Sequence, residues 1–89
     1  MSAFVRGQLV LVERDAESYE DGWNNTWEDD MDGAVGRIGR VLERGDLARD
    51  VRLSVPGLYD RGYPEFVLTP VSQGPISNED WDRFSREDL

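Results

Sequence analysis

The residues best equipped for chemistry sit in one stretch, residues 13–34, which reads ERDAESYEDGWNNTWEDDMDGA. It carries Tyr19, Trp23, Trp27 and Met31 beside the carboxylates Glu28, Asp29, Asp30 and Asp32. Aromatic rings flanked by carboxylates suit the recognition of an Arg- or Lys-bearing peptide. Salt bridges would combine there with cation–π contacts of about 0.5–2 kcal/mol each. Tyr59 and Tyr63, further along the chain, are candidates for the same surface, because Tyr and Trp bury large area with few rotors. Trp23, Trp27, Tyr19, Tyr59 and Tyr63 are therefore candidate partner-binding residues together with the four acids. Of the two tryptophans, Trp23 is expected to plug the core, with Met31 filling the gap beside it, and Trp27 to face outward. An ordinary solvated acidic loop is the plainer reading of the same residues.

Catalysis has few instruments here. The chain has no His and no Cys, which removes the commonest general base, the commonest transition-metal ligand, thiolate nucleophiles and disulfides. No glycine-rich phosphate loop is present either. Pairs can be drawn from 19 acids in many ways, so no pair singles itself out. Asp30-Met31-Asp32-Gly33 matches a fragment of a calcium loop, but the count then puts Gly39 where a bidentate Glu is required. The expectation is a non-enzyme without cofactor or metal.

The charge balance narrows the partner. Nineteen acidic against 10 basic side chains give a formal charge of −9, and every basic residue is Arg. Such a field repels nucleic-acid phosphates and anionic membrane surfaces and favours a protein or peptide with a basic face. Two other uses of the same acidity are a nucleic-acid mimic that occupies a basic cleft on its partner, and a structural subunit of an assembly. No apolar run approaches the ~20 residues of a membrane span, and the first residues lack the features of a signal peptide. A cytoplasmic location is the expectation, with the oligomeric state left open.

The elements that must position these residues are short strands. Residues 8–12, QLVLV after Gly7, read as a strand rich in β-branched residues. Residues 36–43 form a second, in which Gly39 suggests a bulge or sharp bend. Arg44-Gly45-Asp46 is turn chemistry. Residues 50–55 alternate polar and apolar side chains and read as a half-buried strand. Pro56-Gly57 is a turn, residues 58–63 a fourth short strand, and residues 64–67 a single helical turn with Pro64 at its first position. Residues 68–71 close the order as an edge strand, since Pro70 cannot donate to a central ladder. Gln73-Gly74-Pro75 breaks the pattern. A short helix begins near Ser77 or Asn78, with Trp81, Phe84 and Leu89 available for docking. Large aromatics in this 22-residue loop argue that it folds back on the body, since loops of that length inside compact domains are uncommon.

Five short strands, a long first loop and a helical turn before the last strand predict an all-β, SH3-like five-stranded barrel over residues 1–71. Residues 72–89 would be a tail or a short helix docked on it. Gly22-Trp23, Met31 and the run Gly36-Arg37-Ile38-Gly39-Arg40-Val41 carry a resemblance to a family. They resemble the small SH3-like modules of the Mind bomb type of ubiquitin ligase, of the plant ligase Keep on Going, and of short phage and bacterial proteins. Tyr63-Pro64-Glu65-Phe66-Val67-Leu68 resembles their closing segment, although those modules favour a larger aromatic before the Pro. The resemblance spans residues 4–71 and implies a scaffold that recognises peptides or proteins.

Overall fold

In the computed structural model, residues 4–45 and 50–88 are described, the last five of them by backbone alone. Apolar alternation decides where strands form. In β1, Gln8–Val12, the residues Val10 and Val12 are buried while Leu9 and Leu11 are half-covered. In β3, Asp50–Ser54, Val51 and Leu53 point into the core and Arg52 points out. β2, Ile38–Gly45, lies between them; β4, Arg61–Pro64, and β5, Leu68–Pro75, complete one antiparallel sheet in the order β4-β3-β2-β1-β5.

The expected five strands form one sheet, which is not closed: its edges are β4 and β5, and no ladder joins them among the described residues. The edges are nevertheless drawn together. A flat five-stranded sheet would hold them about 19 Å apart, whereas Pro64 and Leu68 are joined only by the 3-10 turn Glu65–Val67, a link of at most about 14 Å even if extended. The sheet must curl to satisfy that link. Glu13 N–H donates to the Val67 carbonyl at 2.8 Å, tying the turn to the end of β1.

Several elements differ from the sequence expectation. The irregularity in β2 falls between Val41 and Glu43, not at Gly39. Gly39 instead serves a close approach, since a Cβ there would lie 2.9 Å from Val55 Cγ2 and 3.2 Å from the Ser54 carbonyl oxygen. β4 starts at Arg61, because residues 58–60 are still leaving the turn in which Leu58 N–H donates to Val55 O at 3.0 Å. β5 runs on to Pro75, past the expected end at residue 71. Its chain irregularity is absorbed as a bulge opposite Leu9: Gln8 pairs with Pro75 and Val10 with Pro70. Ser72 fills the gap, its Oγ accepting Leu9 N–H at 2.9 Å and its carbonyl accepting Gln8 Nε2–H at 2.8 Å. Asp46 of the expected turn lies outside the described residues.

The helix α1, Asn78–Asp88, is capped by Ser77, whose Oγ accepts Asp80 N–H at 3.1 Å. Trp81 is 9% exposed and docks the helix; the expected parts of Phe84 and Leu89 in that face lie outside the described side chains. No helix among the described residues is long and apolar enough to cross a membrane.

The long first loop completes the core. Its ends are tied where Gly36 N–H donates to Val12 O at 2.7 Å and Val12 N–H to Arg37 O at 3.0 Å. Between them lie two 3-10 segments, Glu20–Gly22 and Asp29–Ala34. Trp23, Met31 and Ala34 are buried against Val10, Val12, Val41, Val51, Leu53 and Tyr63 of the sheet. Trp23 and Met31 are among the largest fully buried side chains in the molecule. The loop is thus the second layer that a single sheet needs. Replacing Trp23 by Ala should cost about 3–5 kcal/mol, read as a lowered midpoint in denaturant unfolding, with Trp27→Ala costing clearly less; equal costs would contradict this packing.

Candidate functional site

The loop is held over β4 by one ion pair. Arg61 donates from Nε to Asp30 Oδ2 at 3.1 Å and from Nη2 to Asp30 Oδ1 at 3.0 Å, a bidentate fork. Asp30 raises the Arg61 guanidinium further above its ordinary value by hydrogen bonding to it, so the fork stays charged. Both partners are partly solvated, so the pair adds modestly to stability; its geometry fixes where the loop lies. The same guanidinium sits 5.8 Å from the centre of the Tyr59 ring, and Tyr59 is 75% exposed.

Trp27 stands at the middle of this face. Its ring meets Trp23 edge-on at 6.4 Å and Tyr63 edge-on at 5.8 Å, so one side of the indole is clamped by the core. Its Nε1 donates to Asp32 Oδ1 at 2.7 Å, and its backbone N–H donates to Ser18 Oγ at 2.9 Å. The indole is half-buried, an anchored ring with one surface available. Glu28 and Asp29 are exposed beside it; Glu28 Oε1 accepts the Thr26 hydroxyl at 2.8 Å, and Glu28 N–H meets Met31 Sδ at 3.2 Å. A cleft of about 200 Å³ runs alongside, lined in part by Asn25, Thr26, Glu28, Asp60 and Arg61.

The nine candidates therefore separate. Trp27, Glu28, Asp29, Asp30, Asp32 and Tyr59 share this region, with Asp30 engaged by Arg61. Trp23 and Tyr63 are fully enclosed at 2% and 0% exposure, and neither offers ring surface to a partner. That corrects the placement of Tyr63: it lies opposite Val51 in the ladder, which fixes its side chain on the core face. Tyr19 is 62% exposed at the pinch of the loop, where its N–H donates to Asn25 O at 2.9 Å and its backbone is left-handed at φ 63°.

Sequence reasoning missed Arg61 and the buried carboxylate Asp50. Asp50 accepts Asn25 Nδ2–H at 3.1 Å and packs against Gly62, where any Cβ would overlap the carboxylate. Gly62 is thus required by a close approach, a contact that no local pattern announces. Among the described residues no cluster of His, Cys, Asp and Glu is arranged to hold a metal ion. No protein-family model, curated protein or solved structure matches the chain.

Two donors under Trp27 are unusual. Trp23 Nε1 and the Tyr63 hydroxyl are buried and have no hydrogen-bond partner among the described residues. Burial, aided by the charge of Asp30, pushes the Tyr63 phenol from its ordinary 10.0 up to about 12. The folded state thus prefers the neutral phenol. Its contribution to stability is complete below about pH 10 and is lost as pH rises towards about 12. Tyr63→Phe should flatten that alkaline loss, measured by unfolding between pH 9 and 12. At neutral pH the same variant should be neutral or stabilising by up to about 1 kcal/mol, since an unsatisfied buried hydroxyl is itself a cost. A clear destabilisation at neutral pH would mean that the hydroxyl is satisfied.

Proposed function

We propose that the chain is a non-catalytic protein- or peptide-binding module on an SH3-like scaffold, recognising an extended peptide with Arg or Lys side chains. The strand order, the long first loop and the 3-10 turn before the last strand support the scaffold reading. The observation that carries the binding reading is the anchored Trp27, with Tyr59, Glu28, Asp29 and Asp32 around it on a loop pinned by the Asp30–Arg61 fork.

The physical case is preorganisation. The clamp of Trp23 and Tyr63 has already immobilised the Trp27 indole, so little side-chain entropy remains to be lost on binding. Tyr59 adds an exposed, amphipathic ring. The carboxylates of Glu28 and Asp29 supply an attractive field for a cationic peptide, which raises the association rate more than the final affinity. Rings beside carboxylates let a guanidinium stack and pair at once. A nucleic-acid mimic fits less well, because arginines interrupt the acidic surface elsewhere on the sheet.

Titration calorimetry against short Arg- and Lys-containing peptides should give saturable binding that weakens as salt rises. Tyr59→Ala and Trp27→Ala should each weaken it by about 3- to 30-fold, the range of a cation–π contact, while Glu13→Gln, away from this face, should leave it unchanged. Binding that ignores both salt and these two rings would refute the reading.

A further inference from the structure

Arginine is the only cation of this chain, and four of the ten arginines line one groove. Arg6, Arg40, Arg44 and Arg52 surround a depression of about 690 Å³, with Glu43 the one carboxylate among its lining residues. Its floor is Val41 and Leu42 of β2, and Asn78, at the start of α1, stands at its rim. In a chain of formal charge −9, such a gathering runs against the general balance.

Local partners use little of this charge. Arg40 donates from Nη2 to the Ile76 carbonyl at a long 3.3 Å, a contact that leaves its charge uncompensated. Arg44 approaches Glu65 only at 3.7 Å with about half of its side chain exposed. Arg52 lies opposite Glu43 in the β2–β3 ladder and is exposed, as is Arg6. Packing does not require four guanidiniums here, since the buried positions of these strands are filled by Val41, Val51 and Leu53.

We propose that this groove binds an acidic peptide segment of a partner protein, next to the basic-peptide face, with Arg52 lining both the groove and the cleft beside Trp27. The size lies within the range of about 300–1,000 Å³ usual for ligand sites. The irregularity between Val41 and Glu43 leaves Arg40 and Arg44 three ladder steps apart, opposite Ser54 and Val51, about 10 Å along the strand, a spread that several carboxylates of one segment can match. An extended peptide with carboxylates on alternate residues repeats every 6–7 Å on one face and can meet successive forks, each able to take a carboxylate in a bidentate pair. A long polyanion is the poorer occupant, because beyond the groove it would run along a surface whose remaining charge is strongly negative. The module would then hold two peptides of opposite charge on adjoining surfaces.

The probe is a seven-residue peptide alternating Glu and Ser, carrying a neutral fluorophore and followed by anisotropy with the full chain. Saturable binding is expected, at least tenfold weaker in Arg6→Glu/Arg44→Glu, which changes two groove residues that do not line the cleft beside Trp27. An unchanged melting temperature shows that this variant is folded. Trp27→Ala should bind the acidic peptide as the parent does, which separates this groove from the basic-peptide face. Should the charge-reversed variant melt early, Arg6→Gln/Arg44→Gln replaces it, with a loss of at least threefold expected. Absence of saturable binding, an unaltered affinity in the variants, or tighter binding of a single-stranded oligonucleotide of equal charge would each overturn the proposal.

Discussion

Everything in this molecule depends on one face of one sheet finding a cover. Five short strands in an 89-residue chain present a row of Val and Leu side chains, and the described residues hold no second sheet and no long helix to bury it. The cover is the loop between β1 and β2, and the heaviest part of it is the Trp23 ring. Met31 and Ala34 extend the contact, and Tyr63 reaches up from β4 to meet it. Small domains bury a limited share of their surface, so the few large side chains that join loop to sheet carry a correspondingly large part of the fold.

That arrangement explains why the candidate face lies where it does. A loop used as a core layer cannot drift, so the residues on its outer side are held nearly as firmly as those of a strand. Trp27 is the pivot: its edge contacts look inward to Trp23 and Tyr63, while its indole N–H looks outward to Asp32. The two buried donors beneath it, which have no partner among the described residues, fit the same picture, with ring packing outweighing hydrogen bonding at the crowded centre. Charge is organised on a larger scale. Carboxylates collect along the loop, and four arginines collect at one groove lined by residues of β2 and β3, so a chain acidic by count presents surfaces of both signs.

Much of this was legible in the residues, and the limits have physical reasons. The strand over residues 8–12 and the one beginning at Asp50 emerge with their expected bounds, or within a residue of them, because apolar alternation is a local signal. The folding back of the loop followed from placing four large hydrophobic side chains in an otherwise polar stretch. Long-range register was not legible. Tyr63 looked like a surface ring until its pairing with Val51 placed it inside, and Arg61 had no visible role until the ladder brought it to Asp30, 31 residues away. The extension of β5 was masked by Gln73-Gly74-Pro75, whose turn chemistry is real but is absorbed by a bulge that Ser72 bridges. The arginine groove draws from four separate segments, so no single window of sequence contains it.

The central claim is that the 13–37 loop is a packed layer of the core. Native-state amide hydrogen exchange tests it most directly, at the N–H groups of Tyr19, Trp23, Met31 and Gly36, which donate to Asn25, Glu20, Glu28 and Val12 respectively. The account predicts that Trp23, Met31 and Gly36 exchange as slowly as Val10 and Val12 in β1, opening only when the whole domain unfolds. Exchange of these loop amides at the rate of an unstructured chain, with β1 to β3 still protected, would contradict it.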